Sequence, residues 1–231
     1  MAKLTTQDQK QLAAATAVEF VENRMVVGLG TGSTSELAIR LLAAKVKAGL
    51  KIVGIPTSVA TEKLARRLRI PLASDFGSLK KVDLTIDGAD EVDPQLNLIK
   101  GGGGALTREK IVASRSDRVI IIVDEKKLVR KLGKFLLPVE VVPFGWRSTQ
   151  EMLRSFGARV KLREPKPGKP YRTDNGNFII DCNFGKIKNP PNLAQQIKSL
   201  IGVVEVGLFI GRADLVLVGR STGRVQEKWA A

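Results

Sequence analysis

The sequence predicts an α/β protein: a parallel β-sheet covered by helices, with a smaller α+β domain inserted near the C-terminal end. Two observations lead there. Short apolar runs, RMVVGLG (24–30), KIVGIPTS (51–58), KVDLTIDGAD (81–90) and RVIIIVDEKK (118–127), alternate with stretches of helical periodicity. Strands that alternate with helices over this length form a parallel sheet buried on both faces. After LGKFLLP the order changes to strand, helix, strand, strand, helix, strand. That is the split βαβ arrangement, an antiparallel sheet backed by two helices.

The elements follow in order. Residues 7–23 carry helical periodicity, and TGSTSELAIRLLAAKVKAG (31–49) opens on Ser/Thr as a helix should. VATEKLARRLR (59–69) is a helix, IPLAS (70–74) a short strand and REKIVASRS (108–116) a helix. In the second part, PVEVVP (138–143) is a strand and RSTQEMLRSFG (147–157) a helix. ARVKLRE (158–164) and FIIDCNF (178–184) are strands separated by the loop PKPGKPYRTDNGN. NLAQQIKSLIG (192–202) is a helix and VVEVGLF (203–209) a strand, and ADLVLVG (213–219) returns to the first sheet. The expected division is therefore 1–131 with 209–231 for the α/β domain, and 132–208 for the α+β domain. No internal repeat is visible.

Composition excludes several classes of function. The 231 residues are 43% hydrophobic and 26% charged, an ordinary globular balance. No apolar run approaches the roughly 20 residues of a membrane span, so no membrane partner is expected. The opening MAKLTTQDQKQLAAATAVEF contains acids and lacks the unbroken apolar stretch of a secretory signal, which points to the cytoplasm. The single cysteine, Cys182, cannot form an internal disulfide and reads as a small buried residue in a strand. Histidine is absent, which removes any Ser-His-Asp triad, Cys-His pair or histidine-ligated metal. Acid–base work must fall to Asp, Glu, Lys or the lone Tyr171.

The formal net charge of +15 raises the question of nucleic acid. The distribution argues against it. Residues 1–130 hold 21 bases against 15 acids, and residues 131–231 hold 17 against 8, so the excess is dispersed. Aromatics are only 5% of the chain, few for stacking on bases. A solvated basic surface that attracts a small anionic substrate fits better.

Three segments fall where a parallel sheet places its ligands, beyond the carboxyl ends of strands. The first is GLGTGSTS (28–35): Gly28, Gly30 and Gly32 allow close backbone approach, and Thr31, Ser33 and Thr34 bring hydroxyls to a helix N-terminus that favours an anion. Ser33 stands where a dinucleotide fingerprint needs its third glycine, and no acid follows in the next strand, so a single phosphate is the better guest. An ordinary glycine turn with a capped helix is the alternative. The second is DGADEVD (87–93), with Asp87 and Asp90 at a strand end. It lacks calcium-loop spacing; its carboxylates could hold sugar hydroxyls and pass protons, or form a solvated acidic turn. The third is LIKGGGGALTREK (98–110), in which Lys100 precedes four glycines and Glu109 opens a helix. Taken alone, Glu109 is a first-turn glutamate that satisfies the helix dipole. Together the three suggest a sugar-phosphate site.

These segments, with PTS (56–58), LGKFLLPVEVVP, TDNGN, GVVEVGLF and RADLVLVG in this order and spacing, resemble the A-type ribose-5-phosphate isomerase family over nearly the whole chain. The resemblance implies a Rossmann-like domain plus a ferredoxin-like α+β domain. It also implies metal-free, cofactor-free interconversion of ribose 5-phosphate and ribulose 5-phosphate in the pentose phosphate pathway, by a homodimer or homotetramer. Carried over by motif, Glu109 would be the general base acting between C2 and C1 through a cis-enediolate. Thr31, Gly32, Ser33 and Thr34 would line the substrate pocket, with Asp87, Gly88, Ala89 and Asp90 around the sugar. Asp87 would open the ring or shuttle a proton between O1 and O2. Lys100, with Gly101, Gly102 and Gly103, would stabilise the enediolate oxygen, and Lys127 would be a further substrate contact. The chain departs from the family pattern at Val206, where histidine is frequent, at Ile201 in place of proline and at Asn189 in place of aspartate. A sugar-phosphate sensor and a coenzyme A transferase on a related fold are the rival classes; the first lacks a segment for a helix-turn-helix, and the second would transfer acyl groups.

Overall fold

The computed structural model describes residues 3–230. Helix α1 (Thr6–Val18), strand β1 (Val26–Leu29), α2 (Ser33–Lys47), β2 (Val53–Pro56), α3 (Val59–Arg67) and β3 (Leu84–Asp87) come first. The two-residue strands β4 (Glu91–Val92) and β5 (Leu98–Ile99) precede α4 (Leu106–Ser114) and β6 (Val119–Asp124), which ends in a 3-10 turn at Glu125–Lys127. Next are β7 (Leu137–Val141), α5 (Trp146–Ser155), β8 (Arg159–Leu162), β9 (Phe178–Asn183), α6 (Pro190–Lys198) and β10 (Val203–Val206). Last come β11 (Leu208–Phe209), β12 (Leu215–Gly219) and β13 (Val225–Trp229).

The chain forms two compact units and passes between them after Ala89, Thr107, Lys127 and Ile210. The first unit is built on a six-stranded sheet in the order β13-β12-β6-β3-β1-β2. All neighbours are parallel except the β12–β13 pair. ADLVLVG therefore rejoins the first sheet as expected, and β13 is an added edge hairpin. Ala13, Ala14 and Ala17 of α1 are fully buried together with Ile120, Ile122, Leu215 and Leu217 of the central strands. Complete burial of each large aliphatic chain contributes roughly 1.5–3 kcal/mol. The helix lies so close that a Cβ on Gly219 would meet the Gln9 carbonyl oxygen at 1.9 Å. Thr5 and Asp8 form a reciprocal capping box at its start.

The second unit contains the four-stranded antiparallel sheet β10-β7-β9-β8, with α5 and α6 contributing Leu153 and Ile197 to the same apolar cluster as Leu137, Val139, Val141 and Ile180. The order β7-α5-β8-β9-α6-β10 is the ferredoxin-like arrangement expected from the sequence. Residues 90–107, expected with the α/β domain, belong to this unit, because β5 pairs with both β4 and β11 in a three-stranded sheet.

Other departures have local causes. IPLAS makes only a single bridge, Leu72 to Gly54, because Pro71 has no N–H to give to the edge strand β2. VVEVGLF divides at Gly207, whose N–H is bonded to the Pro138 carbonyl and whose missing Cβ admits the Lys100 carbonyl; Leu208–Phe209 then pairs with β5 instead. The first helix stops at Val18, and Arg24 takes a positive φ of 69° to turn the chain into β1.

Glu140 is fully buried on the face of β7 opposite the apolar cluster. Its carboxylate accepts from Thr107 Oγ1 at 2.6 Å, Thr173 Oγ1 at 2.9 Å, Asn177 Nδ2 at 2.8 Å and Asn175 Nδ2 at 3.2 Å. The TDNGN segment thus cradles a buried carboxylate. Among the described residues no helix is long and apolar enough to cross a membrane. Replacing Glu140 by Ala leaves the Thr173 and Asn177 donors facing a cavity, and urea unfolding should show a loss of about 2–4 kcal/mol. A midpoint unchanged from the parent would refute this account of the network.

Candidate active site

In the first unit the chain runs from β1 to β2 on one side and then crosses to β3 on the other, so the order of strand addition reverses between β1 and β3 while the strands stay parallel. Such a switch point leaves an opening at the carboxyl ends of the two strands. Asp87 ends β3 there and is only 2% exposed. Its Oδ1 accepts hydrogen bonds from the Thr31 amide at 3.0 Å, Ser35 Oγ at 3.1 Å and the Gly88 amide at 2.7 Å. This one oxygen therefore ties the end of β3 to the loop that opens α2. Gly30 makes the approach possible: a Cβ there would lie 2.2 Å from Asp87 Oδ1 and 2.6 Å from its Cα.

Thr31 is joined to a second helix start. Its Oγ1 shares hydrogen bonds with Thr57 Oγ1 at 2.8 Å, Ser58 Oγ at 2.9 Å and Thr61 Oγ1 at 3.2 Å. Ser58 caps α3 by accepting from the Thr61 amide, and Thr61 Oγ1 donates to the Gly30 carbonyl at 2.9 Å. Gly32, Ser33 and Thr34 lie at the first turn of α2, with Gly32 as its N-cap at φ 107°. Lys10 Nζ reaches Ser33 Oγ at 3.0 Å, placing a cation at this helix N-terminus. An open depression of about 630 Å³, lined by residues 30–33 together with Ala60, Lys63 and Arg67, adjoins the loop. Amide donors, hydroxyls and a lysine at a helix start make an anion-binding set.

Glu109 also belongs to the first unit, in the first turn of α4, and is 5% exposed. Lys127 closes the 3-10 turn after β6 and is half-buried, whereas its neighbour Lys126 is exposed. Gly88 and Ala89 continue from Asp87 at intermediate exposure.

The remaining sequence candidates lie in the second unit. Lys100 is 4% exposed, with Nζ 5.4 Å from the centre of the Phe209 ring and its amide bonded to the Gly207 carbonyl. Asp90 Oδ2 accepts from the Gly102 amide at 2.8 Å, so this acid holds the glycine loop. The glycines answer separate steric demands. Gly101 and Gly104 take positive φ angles of 101° and 82°, and a Cβ on Gly102 would stand 2.6 Å from Asp90 Oδ1.

Residues 53–223 match the family model for ribose 5-phosphate isomerase A (phosphoriboisomerase A). The chain belongs to the ribose-5-phosphate isomerase A family. The ribose-5-phosphate isomerase A of Desulfatibacillum aliphaticivorans is 52% identical over 232 residues, covering 99% of this chain and 100% of the relative. That of Parvibaculum lavamentivorans is 50% identical over 95% of this chain and 97% of its own. Among solved structures, a D-ribose-5-phosphate isomerase in complex with phospho-erythronic acid superposes with a TM-score of 0.94 at 44% identity, covering 98% and 100% of the two chains. The ribose 5-phosphate isomerase A of Methanocaldococcus jannaschii gives a TM-score of 0.92 at 42% identity, with 97% and 100% covered.

Several side chains that the sequence reading did not name stand beside the candidate residues. Ser35 is buried against Asp87, Lys10 sits on Ser33, and Asp124, 2% exposed, ends β6 beside Lys126. The hydroxyl spacing in PTSVAT was the available signal for the Thr31 network; Lys10 left none beyond one base on a helix. Cys182 is 1% exposed, and burial, aided by Asp181, pushes its thiol well above the usual range. It is a packing residue, and a thiol reagent such as Ellman's should stay unreactive until the protein is unfolded; stoichiometric labelling of the native protein would contradict that. A Gly30→Ala substitution must displace Asp87. Overpacking of this kind should cost about 1–3 kcal/mol of stability. A shift near 1 Å should cost up to about 100-fold in turnover. Thermal melts and isomerase assays on the same preparation check both, and parent-like values would mean the loop has room to spare.

Proposed function

We propose that this protein interconverts D-ribose 5-phosphate and D-ribulose 5-phosphate, with Glu109 as the base that moves the proton between C2 and C1. Family membership over nearly the full chain carries the reaction. The observation that favours Glu109 is a buried carboxylate in the first turn of a helix that directly follows the glycine loop.

The family motifs supply the other roles, and the chemistry is consistent with them. The phosphate enters the α2 N-terminus, meeting Thr31, Gly32, Ser33 and Thr34, with Lys10 as the added cation. Asp87, Gly88, Ala89 and Asp90 meet the sugar hydroxyls. In the open-chain aldose, Glu109 removes the hydrogen on C2 as a proton, and the electron pair moves through C1 to the carbonyl oxygen O1. The negative charge that develops is met by Lys100 and by main-chain N–H groups of Gly101 and Gly103, on either side of Gly102, whose own amide is taken by Asp90. A proton passes from O2 to O1, with Asp87 as the carrier, and Glu109 returns its proton to C1. Atoms balance with no redox partner and no metal. On this reading Asp87 also assists ring opening, and Lys127 is a further substrate contact. We extend the reading to a cytoplasmic enzyme, associated as a homodimer or homotetramer and acting in the pentose phosphate pathway.

A coupled isomerisation assay with EDTA present tests the core of this. Glu109→Gln should lower turnover by roughly 10²–10⁴-fold with a modest change in KM, as expected for loss of a positioned base. Lys100→Ala should lower kcat, and Lys10→Ala should mainly raise KM. Near-parental turnover by Glu109→Gln would remove the assigned base. A rise in KM alone for Lys100→Ala would reduce that residue to a binding contact.

A further inference from the structure

The glycine loop has no side chains of its own to hold it, yet the second unit grips it through its carbonyls. Arg163 Nη1 donates to the Gly101 carbonyl at 2.9 Å and the Gly102 carbonyl at 3.1 Å. The other edge of the same guanidinium is bound to Asp181, with Nε 2.9 Å from Oδ2 and Nη2 on Oδ1. The two side chains are only 17% and 16% exposed. Tyr171, whose ring lies beside the guanidinium, donates its hydroxyl to the Gly103 carbonyl at 3.2 Å. Burial, reinforced by Asp174, pushes the Tyr171 phenol above its ordinary range, which keeps it protonated as a donor.

A trans peptide points its C=O and the following N–H in opposite directions. Fixing three successive carbonyls therefore fixes where the three following amides point. The Gly102 amide goes to Asp90 and the Gly104 amide to the Gly101 carbonyl at 3.0 Å. The amide of Gly103, in an exposed stretch of the loop, is directed away from Arg163. We propose that Arg163, held by Asp181, is a positioning residue for the isomerisation: it sets the peptide planes of Gly101 and Gly102 so that the Gly103 N–H is presented to the developing oxyanion. This rests on the reading that Lys100 and the glycine loop stabilise the enediolate. Arginine suits the task because one planar fork can serve a carboxylate and two carbonyls at once, which lysine cannot do.

The experiment compares Arg163→Met, Arg163→Lys, Arg163→Ala, Asp181→Asn and Lys100→Ala in the full-length enzyme. A mispresented oxyanion donor should lower kcat by about 10–100-fold in Arg163→Met, with KM within about threefold of the parent. Arg163→Lys should recover little of that loss, and Asp181→Asn should show a smaller loss of the same kind. Affinity for phospho-erythronic acid, the ligand held by the solved relative, should fall by a similar factor. Added methylguanidinium should restore part of the kcat of Arg163→Ala, an effect that general loosening of the fold would not produce. The proposal fails if Arg163→Met and Asp181→Asn keep kcat within twofold, or if their defect lies in KM alone. Should the Arg163 variants not fold, Asp181→Asn, which preserves size and shape, decides the matter. A reduced kcat in Lys100→Ala beside intact Arg163 and Asp181 variants would sink the clamp alone, whereas an unaffected Lys100→Ala would sink the oxyanion reading beneath it.

Discussion

One buried carboxylate organises the carboxyl-terminal edge of the parallel sheet. Asp87 leaves the central strand β3 with three donors converging on a single oxygen, and each donor comes from a different piece of backbone or helix: the β1–α2 loop, the first turn of α2 and its own following peptide. Hydrogen bonds to a charged group contribute about 1.5–3 kcal/mol each, and a desolvated carboxylate without them is strongly unfavourable. The charge and the loop therefore require one another. With the loop fixed, Thr31 falls among Thr57, Ser58 and Thr61, so the starts of α2 and α3 are bound into one hydroxyl network.

The second unit solves the reverse problem. Its glycine loop gains close backbone approach by giving up side chains, and a backbone with that freedom loses much entropy when it is ordered. The ordering comes from outside: Asp90 takes an amide, Arg163 two carbonyls and Tyr171 a third. Lys100 at the head of the loop is fixed differently, by burial, by its amide on Gly207 and by the ring of Phe209 beneath its ammonium group. A loop that carries no packing of its own can thus be rigid.

Much of the fold is legible in the sequence. Alternating apolar runs gave the parallel strands, because period and length are local properties, and the βαββαβ order followed in the same way. What escaped depends on neighbours distant in sequence. Two-residue strands such as β4 and β5 carry no pattern; they pair with each other, and β11, more than a hundred residues later, completes their sheet by pairing with β5. Gly207 breaks a convincing strand because the Lys100 carbonyl needs its space. DGAD and KGGGG announced themselves by composition. Arg163, Asp181, Tyr171 and Lys10 are ordinary surface residue types, and nothing in their local sequence says that they reach a glycine loop or a helix start.

The charge pattern carries the last step. On the proposed reading the substrate is an anion, yet acids crowd the strand ends: Asp87 and Asp124 are buried there, and Glu109 is buried in α4. Close at hand these groups repel a phosphate, and the separation of functions along the sugar follows from that. The phosphorylated end requires its own cationic and amide-lined seat, which the α2 N-terminus with Lys10 supplies. The hydroxyl-bearing end can then lie against carboxylates that accept its hydrogens. At longer range the +15 net charge acts in the opposite sense to the local acids, drawing anions inward over about a Debye length. A histidine-free chain can in this way combine an attractive exterior with the carboxylates on which its acid–base chemistry must depend.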